Sequence, residues 1–372
     1  MTERNFIPEK LSSIQEKGQC TWKSPSNIAL VKYWGKSDPQ LPKNPSISFT
    51  LDACHTITTL SFKQKEVKDD VFSFDIFFEG KKKEDFKPKI TSFFERIEIY
   101  MPFLKAYYFE IHSENSFPHS SGIASSASGL SAIALCLMSM EKLMNPSMES
   151  SYFNQKASFL ARLGSGSAAR SIEGELVVWG THAEVAGSSN LYGVTLEQAV
   201  HPVFKKYQDT ILLVDKGEKV VSSTVGHQLM HKHPFAAQRF EQASQNLSAM
   251  LAVLKEGDLD RFIEIVESEA LTLHAMMMTS MPYFILMKPN TMEIIQKIWD
   301  FRASSKLHVC FTLDAGANVH VLYPEKEKEA VLEFIENELV DFCQKKHYIC
   351  DSAGNGAVCL KKEALSSTKL EK

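Results

Sequence analysis

The 372-residue sequence lacks the familiar nucleotide signatures. It contains no GxxxxGK[ST] phosphate loop and no GxGxxG dinucleotide fingerprint. Twelve histidines occur, none in an HExxH arrangement. His231 and His233 of MHKHPF could touch a metal, but their setting reads as a solvated loop. Cysteine is sparse and odd in number: Cys20, Cys54, Cys136, Cys310, Cys343, Cys350 and Cys359 form no CxxC pair. Several stand in apolar runs, the pattern of reduced, buried thiols rather than of disulfides or a zinc site. An excess of one charge is also missing, since 41 Lys and Arg stand against 45 Asp and Glu. Neither nucleic acid nor an anionic membrane is expected as a partner of so balanced a chain. No apolar run is read as long enough to span a bilayer, and no internal repeat is visible. The opening MTERNFIPEKLSSIQEK has none of the features of a signal peptide, so a cytoplasmic protein is expected.

What is present suits a globular protein of two domains, 44% apolar and 23% charged. Strands are predicted over Thr56–Phe62, Val71–Phe78, Tyr107–His112, Glu175–Gly180, Thr210–Val214, Leu307–Leu313 and Val319–Tyr323. Helices are predicted over Ile90–Ala106, Leu130–Met138, Ser151–Leu163, Phe235–Lys255 and Asp258–Met278, with a final long one over Glu325–Lys345. Asn290 is read as the cap of a helix over Thr291–Ser304. Runs of strands followed by runs of helices predict an α+β fold in both halves, with the linker near Gly187–Gly193. The domains expected are therefore 1–190 and 191–372. The tail Ser366–Lys372 is expected to be loose.

The richest segment is Ser113–Gly129, SENSFPHSSGIASSASG, which leads into the apolar helix. Its seven serines and two glycines expose backbone N–H groups and hydroxyls where a helix dipole is positive, the makings of a phosphate cradle. A flexible Ser-rich linker has the same letters, but the buried helix that follows favours the cradle. Ser125 and Ser126 lie nearest the helix start, placed for a terminal phosphate or Mg²⁺.

Three further segments bear chemistry. Ser24–Ser48 carries Lys32 and Lys36 beside Tyr33 and Trp34, a display that suits a ligand with several negative charges; an ordinary surface turn is the alternative. Ala161–Ser171, ARLGSGSAARS, puts Ser167 and Arg170 on one face if it is helical, suited to a carboxylate or phosphate. It reads equally as a helix C-terminus with a solvent-facing Arg. Asp314–Asn318, DAGAN, ends an apolar strand with a carboxylate, although a bare hairpin turn would look the same. A phosphate cradle, cations, an Arg and a lone Asp together point to phosphoryl transfer, with a nucleotide and Mg²⁺ the only cofactors needed.

In this order, the strings NIALVKYWGK, SISFTL, ENSFPHSSGIASSASG, ARLGSGSAARS, VSSTVG and FTLDAGAN resemble the diphosphomevalonate decarboxylase family. That family lies within the superfamily of galactokinase, homoserine kinase, mevalonate kinase and phosphomevalonate kinase. LHA at Leu273–Ala275 and MP at Met281–Pro282 also match. The resemblance runs from about Ser24 to Asn318. It implies an N-terminal half like ribosomal protein S5 domain 2 and a ferredoxin-like C-terminal half. It further implies ATP-dependent decarboxylation of mevalonate 5-diphosphate by way of 3-hydroxyl phosphorylation, with ATP as co-substrate, Mg²⁺ and a homodimer.

Carried onto this chain, the resemblance makes Asp314, Lys32 and Arg170 the catalytic set. Asp314 accepts or orients the hydroxyl proton, Lys32 neutralises charge, and Arg170 with Asn27 holds the carboxylate. Tyr33, Lys36, Ser167 and Ser223 take the diphosphate. Ser121, Gly122, Ser125 and Ser126 take the ATP phosphates, the last two also Mg²⁺. Departures are Pro45, Ala317, the triplet His119-Ser120-Ser121, and Thr224 where some bacterial relatives carry Arg. The rival readings are a decarboxylase of mevalonate 5-phosphate, a mevalonate 3-kinase, and a non-catalytic anion-binding protein on this scaffold.

Overall fold

The computed structural model describes residues 1–8, 13–67, 69–118, 123–217 and 223–369, with backbone alone at 13–14, 223–224 and 363–369. In chain order its strands are β1 (Ser13–Val31), β2 (Lys36–Ser37), β3 (Leu41–Pro42), β4 (Ser46–Gln64), β5 (Ser73–Phe78), β6 (Lys81–Lys82) and β7 (Tyr107–Asn115). They continue with β8 (Leu176–Trp179), β9 (Val194–Thr195), β10 (Gln208–Leu212), β11 (Cys310–Thr312), β12 (Val319–Tyr323), β13 (Tyr348–Ser352) and β14 (Val358–Lys369). The helices are α1 (Lys87–Ile97), α2 (Ser125–Met144), α3 (Ser150–Gly164), α4 (Ser223–Leu229), α5 (Ala236–Glu256), α6 (Leu259–Met278), α7 (Pro289–Ser305) and α8 (Lys328–Phe334). Both halves mix helix with sheet that is antiparallel apart from the parallel β5–β7 pair, in keeping with the α+β expectation.

Eight strands form the first sheet, in the order β14-β1-β4-β7-β5-β6, with β8 on the other stretch of β4 and β9 beyond it. One face packs on α1, α2 and α3 through Phe93, Phe94, Leu130, Leu137 and Phe159. The other face of the β1 and β4 ends, with Ile28, Leu30, Ile47 and Phe49, packs on Leu247, Met250, Phe262 and Val266 of α5 and α6. The second sheet, β11-β12-β10-β13, lies across that same core. Its far face is covered by Ile294, Ile298, Phe334 and Ile335. The two halves therefore share a hydrophobic core, and β14 returns to the first sheet alongside β1.

Several expectations are corrected by this packing. The surface-turn alternative for Ser24–Ser48 fails at both ends of the segment, because β1 runs through to Val31 and β4 begins at Ser46. Residues 24–32 are buried throughout. A strand covered on both faces has no polar side to alternate, so its period-two signal vanishes. Its polar side chains are tied instead: Ser24 Oγ donates to Ser171 O (2.9 Å) and Ser26 Oγ to Ile123 O (2.6 Å). The Ile90–Ala106 helix stops at Ile97 and continues as short 3₁₀ turns. The Glu325–Lys345 helix is broken into α8 and irregular turns, and two strands follow it.

The α7 helix starts at Pro289, and Thr291 Oγ1 accepts the Lys288 N–H (3.1 Å). Asn290 does not cap it but reaches Phe342 O (3.0 Å). Residues 366–369 of the supposed loose tail pair with β1. His233 is buried against Met276 O (3.1 Å) rather than solvated. Finally, α2 is long and apolar enough to cross a membrane, against the sequence reading, but 83% of that stretch is buried within the protein. It is a core helix, apolar all round because protein surrounds it.

Candidate active site

The site lies where the C-terminal end of β1, the start of α2, the turn after α3 and the turn after β11 meet. These segments line a cavity of about 500 Å³. β1 delivers Lys32 one residue past its last paired position. Lys32 is 2% exposed, and its backbone is held from three sides. Its N–H donates to Glu269 Oε2 (2.7 Å), while its carbonyl accepts from Arg239 Nη2 (3.0 Å) and Asn44 Nδ2 (2.9 Å). Arg239 and Glu269 come from α5 and α6, are wholly buried, and pair through two bonds of 2.9 and 2.5 Å. The second half thus grips the backbone of the first half's lysine.

Asp314 comes from the turn between β11 and β12. Gly316 N–H bonds back to Asp314 O (2.7 Å) across that turn, and His274 Nε2 faces the same oxygen at 3.2 Å. The turn is thereby oriented so that Asp314 Oδ1 lies 3.1 Å from Lys32 Nζ. Burial lowers the Lys32 pKa, and the Asp314 carboxylate is the largest influence opposing it. Burial likewise depresses His274, to about 4, so that imidazole stays neutral.

Arg170 ends a 3₁₀ turn (Gly166–Arg170), in which residues three apart stack, so Ser167 and Arg170 share a side as expected. The guanidinium is 3% exposed, not solvent-facing. Its Nη1 donates to Ser46 Oγ (2.8 Å) and Nη2 to Asn27 Oδ1 (3.3 Å), and the buried Nε has no acceptor among the described residues. Burial brings its pKa down to about 10, against the pull of Asp314. Tyr33 Oη is a second buried group with no hydrogen-bond partner among the described residues, and burial raises its pKa. Lys36 Nζ donates to Gln40 Oε1 (2.9 Å), and desolvation lowers its pKa.

At the other side of the cavity α2 begins at Ser125. Its N-cap position is Ala124, in the left-handed region at φ 47°, with no side chain to accept the first-turn N–H groups. An uncapped helix start facing a cavity is a phosphate-binding arrangement. Lys89 Nζ adds a cation there by donating to Ser126 Oγ (2.7 Å). Among the described residues no group of three or more His, Cys, Asp or Glu could hold a metal ion. The Ser125 and Ser126 hydroxyls at this helix start fit Mg²⁺ that is carried mainly by phosphate oxygens.

Of the residues picked from sequence, Lys32, Tyr33, Lys36, Ser125, Ser126, Ser167, Arg170 and Asp314 line this one cavity. Asn27 stands behind Arg170. Ser121, Gly122 and the Ser223 side chain lie outside the described residues. Reading the sequence overlooked Lys89, His227, Arg239 and Glu269, and gave no role to Ser46 of the SISFTL string. His274 lay within the LHA string but carried no role. Isolated Glu and Arg in amphipathic helices give no signal that they face inward.

Two family models divide the chain. The diphosphomevalonate decarboxylase-like N-terminal domain matches residues 24–190, and the mevalonate 5-diphosphate decarboxylase C-terminal domain matches residues 210–371. A diphosphomevalonate decarboxylase of Candida albicans is 30% identical, over 84% of this chain and 86% of its own. The mevalonate diphosphate decarboxylase of Enterococcus faecalis superposes with a TM-score of 0.77 at 26% identity, over 93% of this chain and 99% of that one. A solved complex described as MDDEF with MVAPP, AMPPCP and magnesium gives a TM-score of 0.78 at 27% identity, over the same shares.

Proposed function

Because the chain belongs to the diphosphomevalonate decarboxylase family, we propose that it converts mevalonate 5-diphosphate and ATP to isopentenyl diphosphate, ADP, phosphate and CO₂. The observation that carries this reading is the meeting of Asp314, Lys32 and Arg170 in one cavity, an acid beside a buried ammonium with a guanidinium nearby. The solved MDDEF complex with an ATP analogue and magnesium supports the co-substrate and metal.

In this reading Asp314 accepts or orients the proton of the tertiary 3-hydroxyl as its oxygen bonds to the γ-phosphorus and ADP departs. Lys32, held by Glu269 and Arg239, faces the Asp314 carboxylate and balances charge on the moving phosphoryl group. Phosphate then leaves from C3, a far better leaving group than hydroxide. The electron pair of the bond to the carboxylate forms the double bond, and CO₂ is released. Arg170 Nε, with no acceptor among the described residues, is available to that carboxylate, while Asn27 and Ser46 fix the guanidinium plane. Tyr33, Lys36, Ser167 and Ser223 take the diphosphate, and Ser125 and Ser126 the ATP phosphates. Mg²⁺, when bound with ATP, screens the phosphate oxygens so that a nucleophile can approach. The remaining parts of this reading are a cytoplasmic setting, supported by seven free thiols, and a homodimer, supported by resemblance alone.

Product analysis tests it. Purified protein is incubated with ATP, Mg²⁺ and either mevalonate 5-diphosphate or its monophosphate, with ADP and CO₂ followed together. Equal ADP and CO₂ with the diphosphate, both abolished by EDTA and restored by Mg²⁺, are expected. ADP without CO₂ would make the protein a 3-kinase, and preference for the monophosphate would change the substrate.

A further inference from the structure

His227 of α4 lies against the cavity in a setting that its position in the sequence does not announce. The Gly35 N–H donates to its Nδ1 at 2.9 Å. A backbone amide can only donate, so Nδ1 must be the unprotonated nitrogen of the ring. In the neutral ring the proton then sits on Nε2. The imidazole is clamped by two rings, Tyr33 at 4.3 Å and Trp34 at 4.5 Å between centroids. Gly226 makes this possible, since a Cβ there would come within 2.6 Å of the Trp34 indole. The residue is 8% exposed, lines the cavity, and its Nε2 bonds to no described residue.

We propose that His227 is a binding residue for the anionic end of the substrate, its Nε2–H donating a neutral hydrogen bond to the diphosphate. The inference rests on the function proposed above and names a group that acts beside Tyr33 and Lys36. Burial holds the ring neutral, with a pKa down to about 3, and the charges of Lys36 and Arg170 act in the same direction. Two cations already flank the site, so a third would be costly to bury, whereas a neutral donor adds a bond without adding charge. The Tyr33 hydroxyl, also buried and with no hydrogen-bond partner among the described residues, is the complementary neutral donor. Holding Nδ1 on Gly35 fixes which nitrogen meets the ligand, so the donor does not depend on a tautomer exchange.

Two measurements test the proposal on the full chain. Two-bond ¹H–¹⁵N spectra of protein labelled at histidine are expected to show the Nε2–H form of His227, with its Nε2 resonance moved by inorganic pyrophosphate or mevalonate 5-diphosphate. An Nδ1–H form, or no movement at saturating mevalonate 5-diphosphate, overturns it. His227→Phe keeps a flat ring and lacks the donor, so KM for mevalonate 5-diphosphate is expected to rise about tenfold, or 1.4 kcal/mol, with kcat and the KM for ATP within a few-fold. His227→Gln restores an N–H and is expected to recover most of the loss. An unchanged KM in His227→Phe sinks the idea. If the wild-type protein releases no CO₂ from any mevalonate derivative, the reaction assigned above fails, whereas the pyrophosphate spectrum still judges His227.

Discussion

Lys32 Nζ lies 3.1 Å from Asp314 Oδ1 although 282 positions separate them along the chain. The lysine rides on a strand of the first sheet and the aspartate on a turn of the second. Only the shared core brings them together. Neither group is easily moved: Lys32 is buried with its backbone gripped by Glu269 and Arg239, and Asp314 is held through its own carbonyl by His274 and Gly316. Preorganisation of this kind places charge where a transition state will need it.

Asp314→Asn preserves shape and removes the charge that balances Lys32. ATP-dependent CO₂ release is expected to fall by about 10²–10⁴-fold, the range for loss of an acid–base group. The circular dichroism spectrum should stay that of the wild type. Near-normal turnover in a folded variant would take Asp314 out of the mechanism.

Arg170→Lys retains a positive charge but cannot reach Ser46, Asn27 and a substrate carboxylate together. A loss of about 10²-fold in kcat/KM is expected, comparable with deleting one preorganised donor of a transition state. Ser46→Ala releases only one anchor of the fork and should cost less than Arg170→Lys. Steady-state kinetics on both variants decide the order, and the reverse order would mean that the guanidinium is not the recognising group.

Arg239→Met strands the Glu269 carboxylate in the interior with Asn246 Nδ2 (2.6 Å) and the Lys32 amide as its remaining donors among the described residues. Breaking one side of a buried pair costs about 3–5 kcal/mol, so urea unfolding should show a loss of that order. The double variant Arg239→Met with Glu269→Leu removes both charges and is expected to be less destabilised than the two single losses added. Strict additivity would mean that the pair does not act as a unit.

Acid should weaken the fold well before the carboxylates titrate. His274 has a folded pKa near 4, below its usual 6.5, so between those values the unfolded chain binds a proton that the native state does not. Stability is therefore complete above pH 6.5 and falls as pH drops toward 4, by roughly 3 kcal/mol for this residue. His227, depressed further, extends the same slope downward. His274→Asn can still donate to the Asp314 carbonyl and has no ring to protonate. Urea midpoints at several pH values should show a shallower slope for this variant, and an unchanged slope would assign the effect elsewhere.

Much of this molecule was open to inspection before any fold was known, but unevenly. The paired helices either side of Gly257 were legible because Gly257 adopts φ 83° after α5 and the Asp258 side chain accepts the Arg261 N–H at the start of α6. Strand β12 was legible over the residues it occupies, Val319–Tyr323. By contrast β1 was hidden, since SPSNIALV is enclosed on both faces and its serines bond inward rather than marking a solvent side. The last helix was overextended because Glu325–Lys345 keeps a helical composition through irregular turns.

Local chemistry was enough to nominate the lysine, the arginine, the aspartate and the serines of the phosphate region, because unusual residue types beside glycine announce themselves in a string of letters. Only tertiary packing decided what faces them. A glutamate and an arginine in two amphipathic helices became a backbone clamp, and a histidine behind a glycine came to accept the Gly35 N–H beside the cavity. The physical reason is that burial and hydrogen-bond direction belong to pairs of segments distant in sequence, and a single chain position carries no record of its partner.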